Sequence, residues 1–565
     1  MALALVVAAL LSLPALYKGF IIDDYVQLAT LEGARPLSAT RFNLWSFRSG
    51  TPEEARRLHA EGATFWWERV EPQGRMAFFR PLPSALLGLD HALFGRAPAA
   101  YHVHSIFWYL LLVASVGLLF RRAPGGAAGG LALLLFAVDE SHWEVIAHLA
   151  ARHIPVSAVF GILALLAHLR WRQEGWRPGR PLSVLALALA LLSSEAALQA
   201  WTFLLAFELV ATPRDLSRRL RALAPTALLV ALYLGFYARG GYGAHEHGYA
   251  DLLAHPAGLL ALWPKPLLFL AELLLGVPAP REGWEGARGS QLLGGAALLF
   301  FAALLLGARR RTPGAPAGPG WLWLGGLLSL LPVLGGKVGG RLLLLPSVAA
   351  AAVLAQALLF GWSLARGSAA APLGARAFGA ALTAGLLVLH LGLAPLARVE
   401  RIRAADLDLH ERRGLKLWHS AIARAEVDRS GPGAVVLLTT PKWLNVLGLR
   451  CLEPFDPDRK VWWDLSLPFS DVELTRNGPR SVAIRYAPTR RFRRPERARR
   501  FAVGELIETR LARIRVVEVE RGWPRRVEVE FSLPLDGGAI AFAAWRGERF
   551  VQVRLPAPEA PADAS

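Results

Sequence analysis

Long unbroken runs of Leu, Ala, Val and Gly constrain this chain more than any other feature. LLLVASVGLLF, AVFGILALLAHL, LSVLALALALLSS and GAALLFFAALLLG recur between short polar clusters. About 20 apolar residues in a helix span the hydrocarbon of a bilayer, and only a helix or a closed barrel satisfies its own backbone there. With 54% hydrophobic residues over 565 positions, the chain reads as a polytopic α-helical membrane protein.

The net charge of +19 would suit a nucleic-acid binder if it lay on one soluble face. Instead it falls in short loops, at Arg121 and Arg122, at 170–180, at 214–221, at 309–311 and at Arg366 and Arg376. Basic residues confined to such loops mark the cytoplasmic side and need no ligand. With those loops inside, spans are expected at 2–18, 102–120, 127–141, 154–170, 181–194, 197–210, 223–238, 291–308, 321–335, 342–364 and 377–396. The count of about eleven puts the N-terminus in the cytoplasm and the C-terminus outside a cell's inner membrane. The segment 256–276 carries Lys265 between two prolines and is expected to lie in the outer interface or re-enter. A single cysteine, Cys451, excludes an internal disulfide framework and a Cys-based metal cluster.

Two parts fall outside the spans. Residues 1–397 form the membrane domain, with a first external loop at 19–100 whose aromatic patches suit short helices on the membrane surface. Residues 398–555 form a soluble extracytoplasmic α+β or β domain, helical over 400–430. Its strands are expected at AVVLLTT, SVAIRYA, RVEVEFSL and RFVQVRL. The tail 556–565 is expected to be disordered.

Several ionisable residues stand where charge is costly. Asp23 and Asp24, in GFIIDDYVQL, follow the first apolar segment. The pair reads either as a mere marker of the water boundary or as part of a site, and on an extended backbone, where successive side chains oppose each other, only one of the two would enter it. In FAVDESHWEVIAHLAARHIP, residues 136–155, Glu140, Glu144, His148 and Arg152 recur every four residues and would form one stripe on a helix. Such a stripe reads as surface ion pairs, as the wall of a substrate cavity, or as part of a metal site that lacks evident third and fourth ligands. Glu195 interrupts another apolar run, Lys337 and Arg341 flank a glycine turn, and Arg80 sits in FFRPLPS. Buried cations of this kind suit an anionic headgroup, while exposed ones snorkel to lipid phosphates. The run RYAPTRRFRRPERARR, 485–500, reads as a solvated basic face or as an attractor for anionic headgroups.

The order of these motifs resembles the integral-membrane glycosyltransferases of the GT-C fold. It is closest to the protein O-mannosyltransferase-like branch that includes the tetratricopeptide-bearing transmembrane mannosyltransferases. The acidic pair, RPL, YH, LFAVDESHWEVIAHLAARHIPVSAVF, LLSSE and GRLLLLPS follow one another in family order over about residues 20–350, keeping His142, Glu144, Arg152, Glu195, Arg341, Pro346 and Ser347. Ile154, Ser194 and Leu342 depart from the family's usual Asp, Lys and Tyr. The resemblance implies transfer of a sugar, with inversion, from a polyprenyl-phosphate donor to a protein, lipid or polysaccharide acceptor. No cofactor is expected, and a divalent metal is not favoured because the stripe at 140–152 lacks evident third and fourth ligands. The resemblance also implies Asp23, or else Asp24, as the base; Arg80, Arg152, Lys337 and Arg341 at the donor phosphate; and His142, Glu144, His148 and Glu195 shaping the pocket. The competing expectations are a transporter or flippase of a lipid-linked saccharide and a catalytically inactive scaffold.

Overall fold

The computed structural model describes the chain apart from residues 22, 34–36, 69, 71–73, 213–214, 245–248, 251, 253–255, 281–282, 312–319, 368–371, 405–424, 428–432, 441–460, 468–469, 489–498, 537, 548 and 557–565. Most of the helix expected at 400–430, most of the arginine run and nearly all of the tail lie outside the described residues. Two compact units emerge: Met1–Phe20 with Arg41–Trp45 and Arg75–Ala405, and Ile21–Thr40 with Ser46–Gly74 and Asp406–Ser565. Residues 19–100 are therefore divided. Residues 21–40 and 46–74 belong with the C-terminal part, against the expectation that 19–100 stays with the membrane domain.

The first unit is helical. Six of its helices are long and apolar enough to cross a membrane: Pro98–Arg122, Leu149–Glu174, Leu216–Arg239, Arg288–Ala308, Pro346–Ala365 and Leu373–Ala404. Their outer surfaces are apolar too, with Leu228, Leu232, Leu292, Leu299 and Leu306 all exposed. A helix apolar all round is stable only where its surroundings are also apolar, so these faces are matched to lipid. Ala2–Tyr17, Gly126–Val138, Gly179–Ser193 and Ala197–Val210 are shorter apolar helices. The expected 321–335 span is a nine-residue helix, Gly320–Leu328, followed by turns. Pro264–Leu275, within the 256–276 segment, has 12 residues, or about 18 Å of rise against a core of about 30 Å.

Small residues set the closest approaches between helices. A Cβ on Gly379 would stand 2.5 Å from the Gly361 carbonyl oxygen, so both glycines let Leu373–Leu386 press against Pro346–Ala365.

The second unit is built on two sheets. Ser470–Arg476, Ser481–Pro488, Trp523–Phe531, Ala512–Glu520 and Leu506–Glu508 lie side by side in that order, all neighbours antiparallel. The other sheet runs Arg549–Val553, Ile540–Arg546, Ala434–Thr439, Val461–Asp464, and its last three strands are parallel. All four expected strands are present. Ala434–Thr439 is apolar up to its final threonine because both of its faces are covered. Val436 and Leu438 meet the five-stranded sheet in one core, whereas Val435 and Leu437 join Trp462, Phe550 and the half-buried Tyr25 in another.

Loop residues complete this core. Trp66 is 2% exposed, donates its indole N–H to the Leu465 carbonyl (3.3 Å) and lies 5.6 Å from the Phe501 ring. Trp66→Ala is expected to cost about 3–5 kcal/mol, the range for emptying a packed aromatic site. Thermal unfolding of the full chain, followed through the strand signal, measures it.

Asp464 is a buried acid in the same unit. Its Oδ1 accepts the Ser466 N–H at 2.6 Å, and burial, partly offset by hydrogen bonds from Ser466 and Thr440, pushes its carboxyl up to about 6. The folded state thus prefers the neutral acid. Stability from this group is full below the unfolded value near 4 and is lost as pH rises through 6. Asp464→Asn is expected to stabilise the unit by about 3 kcal/mol at pH 8 and to give no gain at pH 4, read from melting curves at the two pH values.

Candidate functional site

The segment after Gly126–Val138 does not continue as a helix. Asp139 caps a short turn, Glu140–His142, by accepting the Ser141 N–H at 2.8 Å, and Trp143–Ala147 is a single helical turn. His148 is extended (φ −111°, ψ 114°) before a second short turn, Leu149–Arg152. The predicted stripe of Glu140, Glu144, His148 and Arg152 is therefore broken at His148, and the four side chains part.

Glu144 is fully buried and its Oε1 accepts from Arg341 Nη1 at 2.6 Å. A tight glycine approach makes this pairing possible. A Cβ on Gly340 would stand 2.6 Å from the Ser141 carbonyl oxygen, and one on Gly339 would stand 3.1 Å from Glu144 Oε2. The loop carrying Arg341 is thereby pressed against the 139–144 segment. Lys265 holds the same loop from behind, donating to the Leu334 (2.8 Å) and Gly336 (3.1 Å) carbonyls.

Arg80, 6% exposed, grips Glu195 with two hydrogen bonds, Nε to Oε2 at 3.2 Å and Nη2 to Oε1 at 2.5 Å. Its Nη1 donates to His153 Nε2 at 2.9 Å, which leaves the His153 Nδ1–H for Ser194 Oγ at 3.0 Å. The Phe78 ring lies 4.4 Å from the guanidinium carbon, a cation–π contact. Both Arg80 and Arg341 act electrostatically on His153, which joins the two ion pairs into one cluster. Lys337, four residues before Arg341, is half-buried and makes no hydrogen bond or ion pair among the described residues.

Arg152 and His142 are placed differently. Arg152 is 2% exposed and its guanidinium makes an ion pair with Asp90 and donates to Ser105 Oγ at 2.8 Å and the Tyr101 carbonyl at 2.7 Å. Asp90 also holds His104 Nδ1 at 2.5 Å. This arrangement ties three helical segments together and spends the Arg152 charge on a buried carboxylate, away from the phosphate role the resemblance implied. His142 bonds the Tyr109 hydroxyl (3.0 Å) and Ser347 Oγ (2.9 Å) within a buried network that continues to Arg398. Both of its ring nitrogens are thus occupied.

Sequence reading missed Asp90, His153 and Arg398. Asp90 interrupts the apolar LLGLDHALF, the same signal that singled out Glu195. His153 adjoins Arg152, and nothing near Arg398 distinguishes it from an ordinary basic helix end.

In the second unit, Asp23 and Asp24 begin a helix, Asp23–Leu31, rather than an extended segment. Asp24 is 2% exposed and its Oδ2 accepts the Ile21 N–H at 2.8 Å, while Asp23 remains half-buried. The two carboxylates differ because they sit about 100° apart on a helix, not because they alternate on a strand. No group of three or more His, Cys, Asp or Glu able to hold a metal ion occurs among the described residues.

No protein-family model and no curated protein sequence matches the chain. Among solved structures it is similar to the oligosaccharyltransferase of Archaeoglobus fulgidus tethered to an acceptor peptide (14% identity, TM-score 0.41, 82% of this chain, 64% of that one). It is also similar to ArnT of Cupriavidus metallidurans bound to undecaprenyl phosphate (14% identity, TM-score 0.36, 82% of this chain, 88% of that one). A third is the mycobacterial arabinofuranosyltransferase AftD (14% identity, TM-score 0.35, 95% of this chain, 42% of that one). The chain thus spans 64% of the length of the archaeal oligosaccharyltransferase it matches.

Proposed function

We propose that this chain is an integral-membrane glycosyltransferase that moves a sugar from a polyprenyl-phosphate donor to an acceptor hydroxyl outside the cytoplasmic membrane, with inversion. The observation that carries this reading is the gathering of Arg80, Glu144, His153, Glu195 and Arg341, from four separate stretches of sequence, into two ion pairs, with His153 bonded to Arg80 and within electrostatic reach of Arg341. Four of the five belong to the motif series that resembles the mannosyltransferase branch.

The acceptor oxygen attacks C1 of the sugar as the bond from C1 to the phosphate oxygen breaks. The acceptor proton passes to a carboxylate, assigned to Asp23, and the electron pair of the broken bond leaves with the polyprenyl phosphate. Asp24 is the weaker candidate because its carboxylate caps its own helix. Arg341, Arg80 and Lys337 meet the charge growing on the departing phosphate. The carboxylates of Glu144 and Glu195 hold the two guanidiniums in fixed directions before the reaction begins. Such preorganised charge is often the largest catalytic contribution. A carboxylate near C1 also favours an oxocarbenium-like transition state.

The test supplies radiolabelled polyprenyl-phosphate sugars to the full chain in proteoliposomes. Label is expected to move to an acceptor, and Arg341→Ala is expected to slow that step by about 10²–10³, the effect of removing one preorganised donor. Label that crosses the bilayer still attached to its lipid would instead identify a transporter. Retained binding with no transfer under any acceptor would identify an inactive scaffold.

A further inference from the structure

A cavity of about 740 Å³ lies at the other end of the helical unit from the Arg80 cluster. It is a groove along the helix His153–Glu174, walled by Pro98–Arg122 on one side and Gly179–Ser193 on the other. Phe160, Leu163, Leu185 and Leu189 line its length, and Arg121, Arg122 and Arg170 stand at its mouth with Glu174 and Trp176. From Phe160 to Glu174 the helix rises about 21 Å. That matches one leaflet, about half of a 30 Å core plus its interface.

The mouth carries a net positive charge. Glu174 pairs with Arg122 at 2.6 Å and with Arg170 at 3.2 Å, and Arg170 stacks on Trp176 at 4.1 Å. Arg121 makes no hydrogen bond or ion pair among the described residues. Three arginines against one glutamate leave two positive charges over an apolar slot. Positive residues at a loop orient helices without any ligand. Orientation alone, however, does not call for an apolar slot of leaflet length beneath them. Basic pockets between spanning helices are suited to anionic headgroups.

We propose that this groove binds an anionic phospholipid, its phosphate against Arg121 and Arg122 and an acyl chain along Phe160 and Leu185. The leaflet-length groove favours a phospholipid over a polyprenyl phosphate. Arg170, at the same mouth, lies about 25 Å along its helix from His153, so this phosphate is not the donor's.

Native mass spectrometry of the full chain in detergent, titrated with phosphatidylglycerol or phosphatidylcholine, tests the assignment. Phosphatidylglycerol is expected to be retained about 30-fold more strongly, roughly fivefold for each of two positive charges. Arg121→Ala with Arg122→Ala, both at the surface end of their helix, should abolish that preference. Ala186→Trp should fill the groove and lose both lipids. Equal retention of the two lipids, a preference unchanged in the arginine variant, or displacement of phosphatidylglycerol by equimolar polyprenyl phosphate would overturn the proposal.

Discussion

Asp23→Asn is expected to lower sugar transfer by about 10²–10⁴ while leaving donor binding intact, the loss typical of a removed general base. An amide keeps the size and much of the hydrogen bonding of the carboxylate but cannot accept the acceptor's proton. Asp24→Asn is the control. Its side chain is turned inward, where the Ile21 N–H needs an acceptor that Asn Oδ1 still supplies. Asp24→Ala removes that acceptor and is expected to cost about 1 kcal/mol of stability, as for other helix caps. Single-turnover transfer in proteoliposomes, run beside a donor-binding measurement, separates the two acids. Unchanged turnover in Asp23→Asn would remove the assignment, and equal losses in the two Asn variants would leave the base undetermined between them.

Arg152→Met is expected to destabilise the helical unit by about 3–5 kcal/mol, because it leaves Asp90 charged and buried without its partner. The pair is almost wholly shielded, at 2% and 1% side-chain exposure. Adding Asp90→Asn should recover most of the loss, since removing both charges costs far less than removing one. Thermal unfolding in detergent of the two single variants and the double variant completes the cycle. A phosphate ligand would behave in the opposite way: Arg152→Met would keep its stability, weaken donor binding, and gain nothing from a change at Asp90.

The contrast between Arg152 and Arg341 explains how far residue type leads. Both are arginines in the resembling motifs, and both were expected at the phosphate. Arg341 is 22% exposed at its side chain and shares one carboxylate. Arg152 is spent on an acid 62 residues away in sequence, in a helix whose apolar pattern gave no partner assignment. Spacing identifies candidates, but it does not reveal which opposite charge the fold delivers. The broken stripe at 140–152 has a similar origin. A period of four residues is visible in the sequence, yet the extended backbone at His148 turns the last side chain toward a different set of partners.

The amino-acid sequence by itself determined that this chain is a many-helix membrane protein followed by strands. Hydrophobic length and the alternation of apolar and polar residues are local properties, and the solvent on each side selects for them directly. It also marked Arg80, Glu144, Glu195 and Arg341, because charge inside apolar runs is costly and conspicuous. Only the tertiary structure decided that Arg80 holds Glu195, that Arg341 holds Glu144, and that Trp66, from the segment between the first two apolar stretches, completes the core of the C-terminal sheets. Those contacts join residues from about 115 to about 400 positions apart. A one-dimensional pattern carries no information on such closures, which depend on how helices and sheets pack as whole surfaces.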